Sequence, residues 1–167
     1  MVAPDEFIVE LYTGLGTLPH FNPDDDREGS VLPPTVASLR GRLAAADALL
    51  ISSPEYAHGV PGSLKNALDW LVSGPEMIDK PVALLNTSGR SVHAPAALAE
   101  ILRTMSARVI PLNKPVVPLA GRPLGAAEIA AEPGLAEVIT DALRALRVSA
   151  RSGSSPWGAS ASMPPSA

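Results

Sequence analysis

Apolar residues gather into two short continuous runs, at residues 48–53 and 81–86, and elsewhere recur at three- and four-residue spacing. Continuous runs of this length predict parallel strands covered by helices on both faces, here the central strands of a sheet. The spaced pattern predicts helices. Val36, Leu39, Leu43 and Ala46 share one face of a helix starting at Thr35, just after Pro33-Pro34. Leu64, Leu68 and Leu71 line a second helix, opened by Pro61 and stopped by Gly74-Pro75, with Lys65 and Asp69 on its other side. Pro95 opens a third, whose Leu98, Ile101, Leu102 and Met105 face inward. After Pro133-Gly134, a stripe of Leu135, Val138, Ile139, Ala142, Leu143 and Leu146 marks a strongly amphipathic final helix. Residues 107–112 read as a short strand, as do residues 7–12, the latter partly exposed because Glu10 interrupts it; a long turn-rich loop follows over 13–23. From residue 149 onward Ser, Ala, Gly and Pro dominate around a lone Trp157, a composition that predicts a disordered tail. The expected organisation is therefore one domain over residues 1–148 and a tail over 149–167.

Strands alternating with helices specify a doubly wound α/β fold in three layers, α/β/α, in which all strand-to-helix loops meet at one end of the sheet. Ligands bind at that end. A chain of 167 residues is large enough for one core, burying roughly 70% of its unfolded surface. The formal charge of -4 is spread without a basic block, which argues against nucleic acid as a partner. The absence of cysteine removes thiol nucleophiles, disulfides and Cys-held metals. No leader pattern opens the chain and no run of about eighteen apolar residues occurs, so a cytoplasmic protein that neither spans a membrane nor binds one is expected.

Two loops at the predicted ligand end carry the candidate chemistry. The first follows the run at 48–53 and reads Pro54, Glu55, Tyr56, Ala57, His58 and Gly59, with Pro61 beginning the next helix; Pro54, Gly59 and Pro61 are expected to shape it. The second follows the run at 81–86 and contains Thr87, Ser88, Gly89 and Arg90, then His93 and a Pro-started helix whose N-terminus should offer N–H donors to oxygen acceptors. Other patterns fail on their own chemistry. Gly14-Leu15-Gly16 follows a predicted strand, but Pro19 stands where a dinucleotide fingerprint needs a third glycine, and no helix follows. The stretch from Gly59 to Lys65 lacks the Gly-Lys-Ser/Thr ending of a P-loop. His20, His58 and His93 have no i, i+4 pairing, so no metal site is expected. No Gly-x-Ser-x-Gly elbow supports serine hydrolysis. The run Asp24-Asp25-Asp26 reads as a solvated loop.

The stretch from Pro54 to Trp70, Pro-Glu-Tyr-Ala-His-Gly-Val-Pro-Gly-Ser-Leu-Lys-Asn-Ala-Leu-Asp-Trp, closely resembles the signature of the NADPH-dependent FMN reductase family of flavodoxin-like enzymes. The resemblance implies FMN as bound cofactor, NAD(P)H as hydride donor, and a quinone, flavin or similar small molecule as electron acceptor. It implies that Pro54, Glu55, Tyr56, Ala57, His58 and Gly59 lie against the flavin ring. Thr87, Ser88, Gly89 and Arg90 would then form the second ring-side loop, with Arg90 facing the anionic part of NADPH. Many relatives carry Asn where this chain has Ala57. The flavin performs the hydride chemistry, so no catalytic side chain is expected, and His93 is an orienting or capping residue. Homodimers or homotetramers are implied by the family.

The family also opens with a strand ending in a Gly-Ser-x-Arg type loop that grips the FMN phosphate, and a covering helix. Residues 1–6 are too short to supply these, so the resemblance starts at the second strand and implies an N-terminally truncated sheet. In the order 2-1-3-4-5 the absent strand belongs between residues 7–12 and 48–53, and its core residues are worth on the order of 10 kcal/mol. Two functions are therefore carried forward: an FMN-dependent NAD(P)H oxidoreductase, and a nonenzymatic flavodoxin-like remnant that binds flavin poorly or needs a partner to complete its sheet.

Overall fold

The computed structural model describes residues 3–119 and 121–153. Three parallel strands form its sheet: β1 (Leu49–Ser52), β2 (Pro81–Leu85) and β3 (Arg108–Ile110), in the order β1-β2-β3. β1 pairs with β2 from Leu49↔Val82 to Ser52↔Leu85, and β2 pairs with β3 from Pro81↔Arg108 to Ala83↔Ile110. Pro81 lacks an N–H, and it stands at the first position of β2, where the ladder loses least. Past β3 the chain takes up the same ladder again, with Asn86 bridging to Val116.

Helices cover both faces of the sheet. α1 (Pro34–Ala45), α2 (Gly62–Asp69) and α3 (His93–Thr104) share one core cluster, into which Leu49, Ile51, Val82, Leu84 and Val109 point. α4 (Ala126–Ala131) and α5 (Pro133–Gly153) pack on the other side with Leu50 and Leu85. Successive strand residues thus alternate between two cores, as the pleat requires. α5 buries Leu135, Val138, Ala142, Leu143 and Leu146, the stripe visible in the sequence. Lys80 closes the C-terminus of α1, its ammonium donating to the carbonyls of Leu43 (2.8 Å) and Ala46.

The structure corrects several expectations. Residues 7–12 form no strand. A strand exists only when its backbone has a neighbouring strand to bond, and among the described residues this segment has none. Ion pairs hold it instead, Glu6 just before it to Arg147 of α5 (2.6 Å) and Glu10 within it to Arg42 of α1. It therefore passes from one helical layer to the other, with Ile8 and Leu11 exposed. Among the described residues β1 has β2 as its only strand neighbour, so β1 lies at an edge and β2 alone is central. Residues 13–26 contain two 3-10 turns, Leu15–Thr17 and Pro23–Asp26. Asp26 is not solvated: it accepts from Arg40 (2.9 Å) and from Ser73 (2.6 Å), while Arg40 also donates to the Trp70 carbonyl. α4 was not anticipated. Residues 149–153, assigned to the tail by composition, continue α5, and the Ser149 carbonyl accepts from Arg108 at 3.0 Å. The remainder of that stretch, 154–167, lies outside the described residues.

Candidate functional site

β1 and β2 are adjacent and parallel, so the loops that leave their carboxyl ends start side by side. In the first loop Tyr56 and Gly59 exchange two backbone hydrogen bonds, of 3.2 and 2.8 Å, around a two-residue turn. The central residues of such a turn need positive φ, and Ala57 and His58 have φ of 48° and 58°. The left-handed geometry thus falls on two residues that carry a Cβ, at a cost of roughly 1 kcal/mol or more each. Gly59 is not left-handed, and a Cβ there would meet the Tyr56 carbonyl at an ordinary 3.5 Å. Gly59 shapes the turn by closing its two hydrogen bonds, and the positive φ falls on Ala57 and His58. Pro54, Tyr56, Ala57 and His58 are exposed, Glu55 and Gly59 half-buried.

The second loop is organised by Asn86, at the end of β2. Its Oδ1 accepts from the Ser88 N–H at 2.9 Å and its Nδ2 donates to the Ser91 carbonyl at 2.8 Å. Asn is suited to such self-bonded turns, and its place directly after an apolar run is the sequence signal for this one. The Ser88 hydroxyl and carbonyl accept from the N–H groups of Arg90 and Ser91. Thr87 and Ser88 are half-buried; Gly89 and Arg90 are exposed. Among the described residues the Arg90 guanidinium has no hydrogen-bond or ion-pair partner.

Glu55, near the start of the first loop, joins it to the far end of the second. Its Oε2 accepts from the backbone N–H of His93 and of Ala94, each at 2.8 Å. These are the first two residues of α3, and the third, Pro95, has no N–H. The expected open N-terminus of α3 is therefore closed by a carboxylate of the same chain. Charge on the helix end favours this placement. The Ala94 N–H, helped by the His93 N–H and by the His93 and His58 imidazoles, holds the Glu55 carboxyl below its ordinary value of 4.5, against an opposing effect of burial. Beside this contact the rings of His58 and His93 stack at 4.3 Å between centroids, inclined by 23°.

The sequence-predicted residues thus come together as two loops on one shelf: Pro54 to Gly59 on one side, Thr87 to Arg90 on the other. Ala57, His58, Thr87 and Gly89 keep N–H groups with no protein acceptor among the described residues. The shelf is open, and two concavities of about 320 and 450 Å³ are lined by other residues, one between Tyr12 and Arg42, the other between Lys114 and Val138. No group of three His, Asp or Glu side chains suited to a metal occurs among the described residues.

Half of the long sequence motif serves structure instead. Asn66 Oδ1 accepts from the Phe21 N–H at 2.8 Å, while Asn66 Nδ2 and Trp70 Nε1 both donate to the Pro19 carbonyl, at 2.9 and 2.8 Å. Trp70 is fully buried and meets Phe21 edge to face. Lys65 pairs with Asp69 on the opposite side of α2.

A family model described as NADPH-dependent FMN reductase matches residues 3–145. An NAD(P)H-dependent FMN reductase of Pseudomonas aeruginosa is 36% identical over 119 residues, 70% of this chain and 63% of that one. A quinone reductase of Escherichia coli K12 is 36% identical over 120 residues, 68% and 62% respectively. The chain thus spans about three fifths of the length of these relatives. Among solved structures, the flavoenzyme NAD(P)H:(acceptor) oxidoreductase FerB of Paracoccus denitrificans superposes with a TM-score of 0.52 at 32% identity, over 60% of this chain and 57% of that one.

Proposed function

Because this chain belongs to the NADPH-dependent FMN reductase family, we propose that it is an FMN-dependent NAD(P)H oxidoreductase acting on a small electron acceptor, a quinone or a flavin. The family is flavodoxin-like and uses FMN with NAD(P)H as electron donor. The observation that carries the reading is the pair of loops leaving β1 and β2 and fastened into one shelf through Glu55. When bound, FMN accepts hydride from NAD(P)H and passes electrons on, so the protein's task is to hold and orient. The residues fit that task. The Tyr56-to-Gly59 turn offers a rigid support, and the free N–H groups of Ala57, His58, Thr87 and Gly89 suit an electron-rich ring. Arg90, exposed and unpaired, would meet an anionic group of the nicotinamide donor. The same reading has the chain working as a homodimer or homotetramer in the cytoplasm, without nucleic acid or membrane. No helix among the described residues is long and apolar enough to cross a membrane.

One observation favours the second reading, a flavodoxin-like protein that holds flavin weakly unless a partner completes its sheet: among the described residues the outer edge of β1 has no neighbouring strand. Purification followed by FMN titration, and then NADPH oxidation with a quinone, separates the two. Saturable FMN binding with quinone-dependent turnover supports the reductase. A folded, colourless and inactive chain contradicts it.

A further inference from the structure

We infer that Glu55 is a positioning residue, whose carboxylate fixes the separation of the two loops and thereby shapes the shelf. The inference rests on the flavin reading above and assigns Glu55 a place beside the ring-side surface, not on it. The roots of the loops are set by the β1–β2 ladder, which ends at Ser52↔Leu85. Beyond the ladder, the Glu55 contacts are the only hydrogen bonds between residues 53–60 and 86–94 among the described residues; the His58–His93 stack is the only ring contact. Both depend on one another. The left-handed φ at Ala57 and His58 carries the His58 ring over to His93, and Glu55, at the base of that turn, seats His93 by its backbone. A carboxylate on two amides at a helix start is a charge-assisted contact, stronger than a neutral one. Without it the strained turn has nothing opposite to hold it, and the two rows of free N–H groups lose their common spacing. A site whose donors are pre-set binds more tightly than one that must be ordered by its ligand.

The test compares Glu55→Ala, Glu55→Asp and Glu55→Gln with the unaltered chain by amide hydrogen exchange without flavin, then by FMN titration and the visible spectrum of bound flavin. Gln keeps an oxygen at the same reach; Asp is one methylene short and guards against Ala failing to fold. The expected result is that the His93 and Ala94 amides are protected in the unaltered chain, less protected in Glu55→Gln, which keeps the oxygen but not the charge, and exchange freely in the other two. FMN affinity should follow, falling about tenfold in Glu55→Ala and Glu55→Asp with an altered flavin spectrum, and by less in Glu55→Gln. Equal exchange in all four proteins would overturn the contact whatever the flavin does. Freed amides with unchanged FMN affinity and spectrum would overturn the positioning role. An unaltered chain that binds no FMN, yet shows the expected exchange pattern, would remove the flavin reading and Glu55's role in it while leaving the loop contact standing.

Discussion

Ala57 holds a φ of 48° with a methyl side chain, a conformation that glycine and asparagine adopt more readily. Ala57→Asn is therefore expected to raise stability by about 0.5–1 kcal/mol, read as a higher urea midpoint; an unchanged or lower midpoint would show that the turn is not strained. Nothing in the sequence discloses that geometry, because Gly59 is the residue that looks conformationally special. Glu55 was legible as a loop residue and its role was not: its partners lie 38 and 39 positions away and meet it only through the β1–β2 register. Its titration carries a definite sign. The folded-state pKa lies below the ordinary 4.5, so the stabilising contact is complete above that value and is lost as pH falls through the lowered one. An NMR titration of the Glu55 carboxyl should place its midpoint below that of a free glutamate, and the His93 and Ala94 amides should lose protection over the same range. A midpoint at or above the free value would contradict the contact.

At the scale of elements, α2 joins the core to the long loop that precedes α1. Asn66→Ala removes the acceptor for the Phe21 N–H and one donor to Pro19, which should cost about 1–3 kcal/mol in urea unfolding; a loss within a few tenths would mean that the loop is not held there. α1, α2, α3, α5, β1 and β2 were readable because their apolar spacing is what burial on a two-faced sheet demands. α4 was not readable. It is six residues of mostly alanine, and its start is marked by Glu128, whose Oε2 accepts from the Gly125 N–H at 2.6 Å, a cue too short to separate from loop. Residues 7–12 had the composition of a strand, but pairing depends on a neighbour that composition does not report.

Across the whole molecule, the edge of β1 that carries no strand among the described residues and the exposed Ile8 and Leu11 are the features most exposed to unwanted pairing. Replacing both with lysine should leave stability within about 0.5 kcal/mol and lower self-association in concentration-dependent sedimentation; a large loss of stability would mean that these side chains are covered. The doubly wound arrangement, with helices on both faces and loops gathered at the strand ends, was legible from the order of runs and spacings alone, and it is what makes a site at the β1 and β2 loops possible. The most direct test of that site is FMN added to the nitrogen-labelled protein, with every backbone amide followed by NMR. Amides of residues 55–59 and 87–94 should shift together and saturate with FMN. Shifts confined to the concavities near Arg42 or Val138, or no shift in a folded chain, would contradict the account.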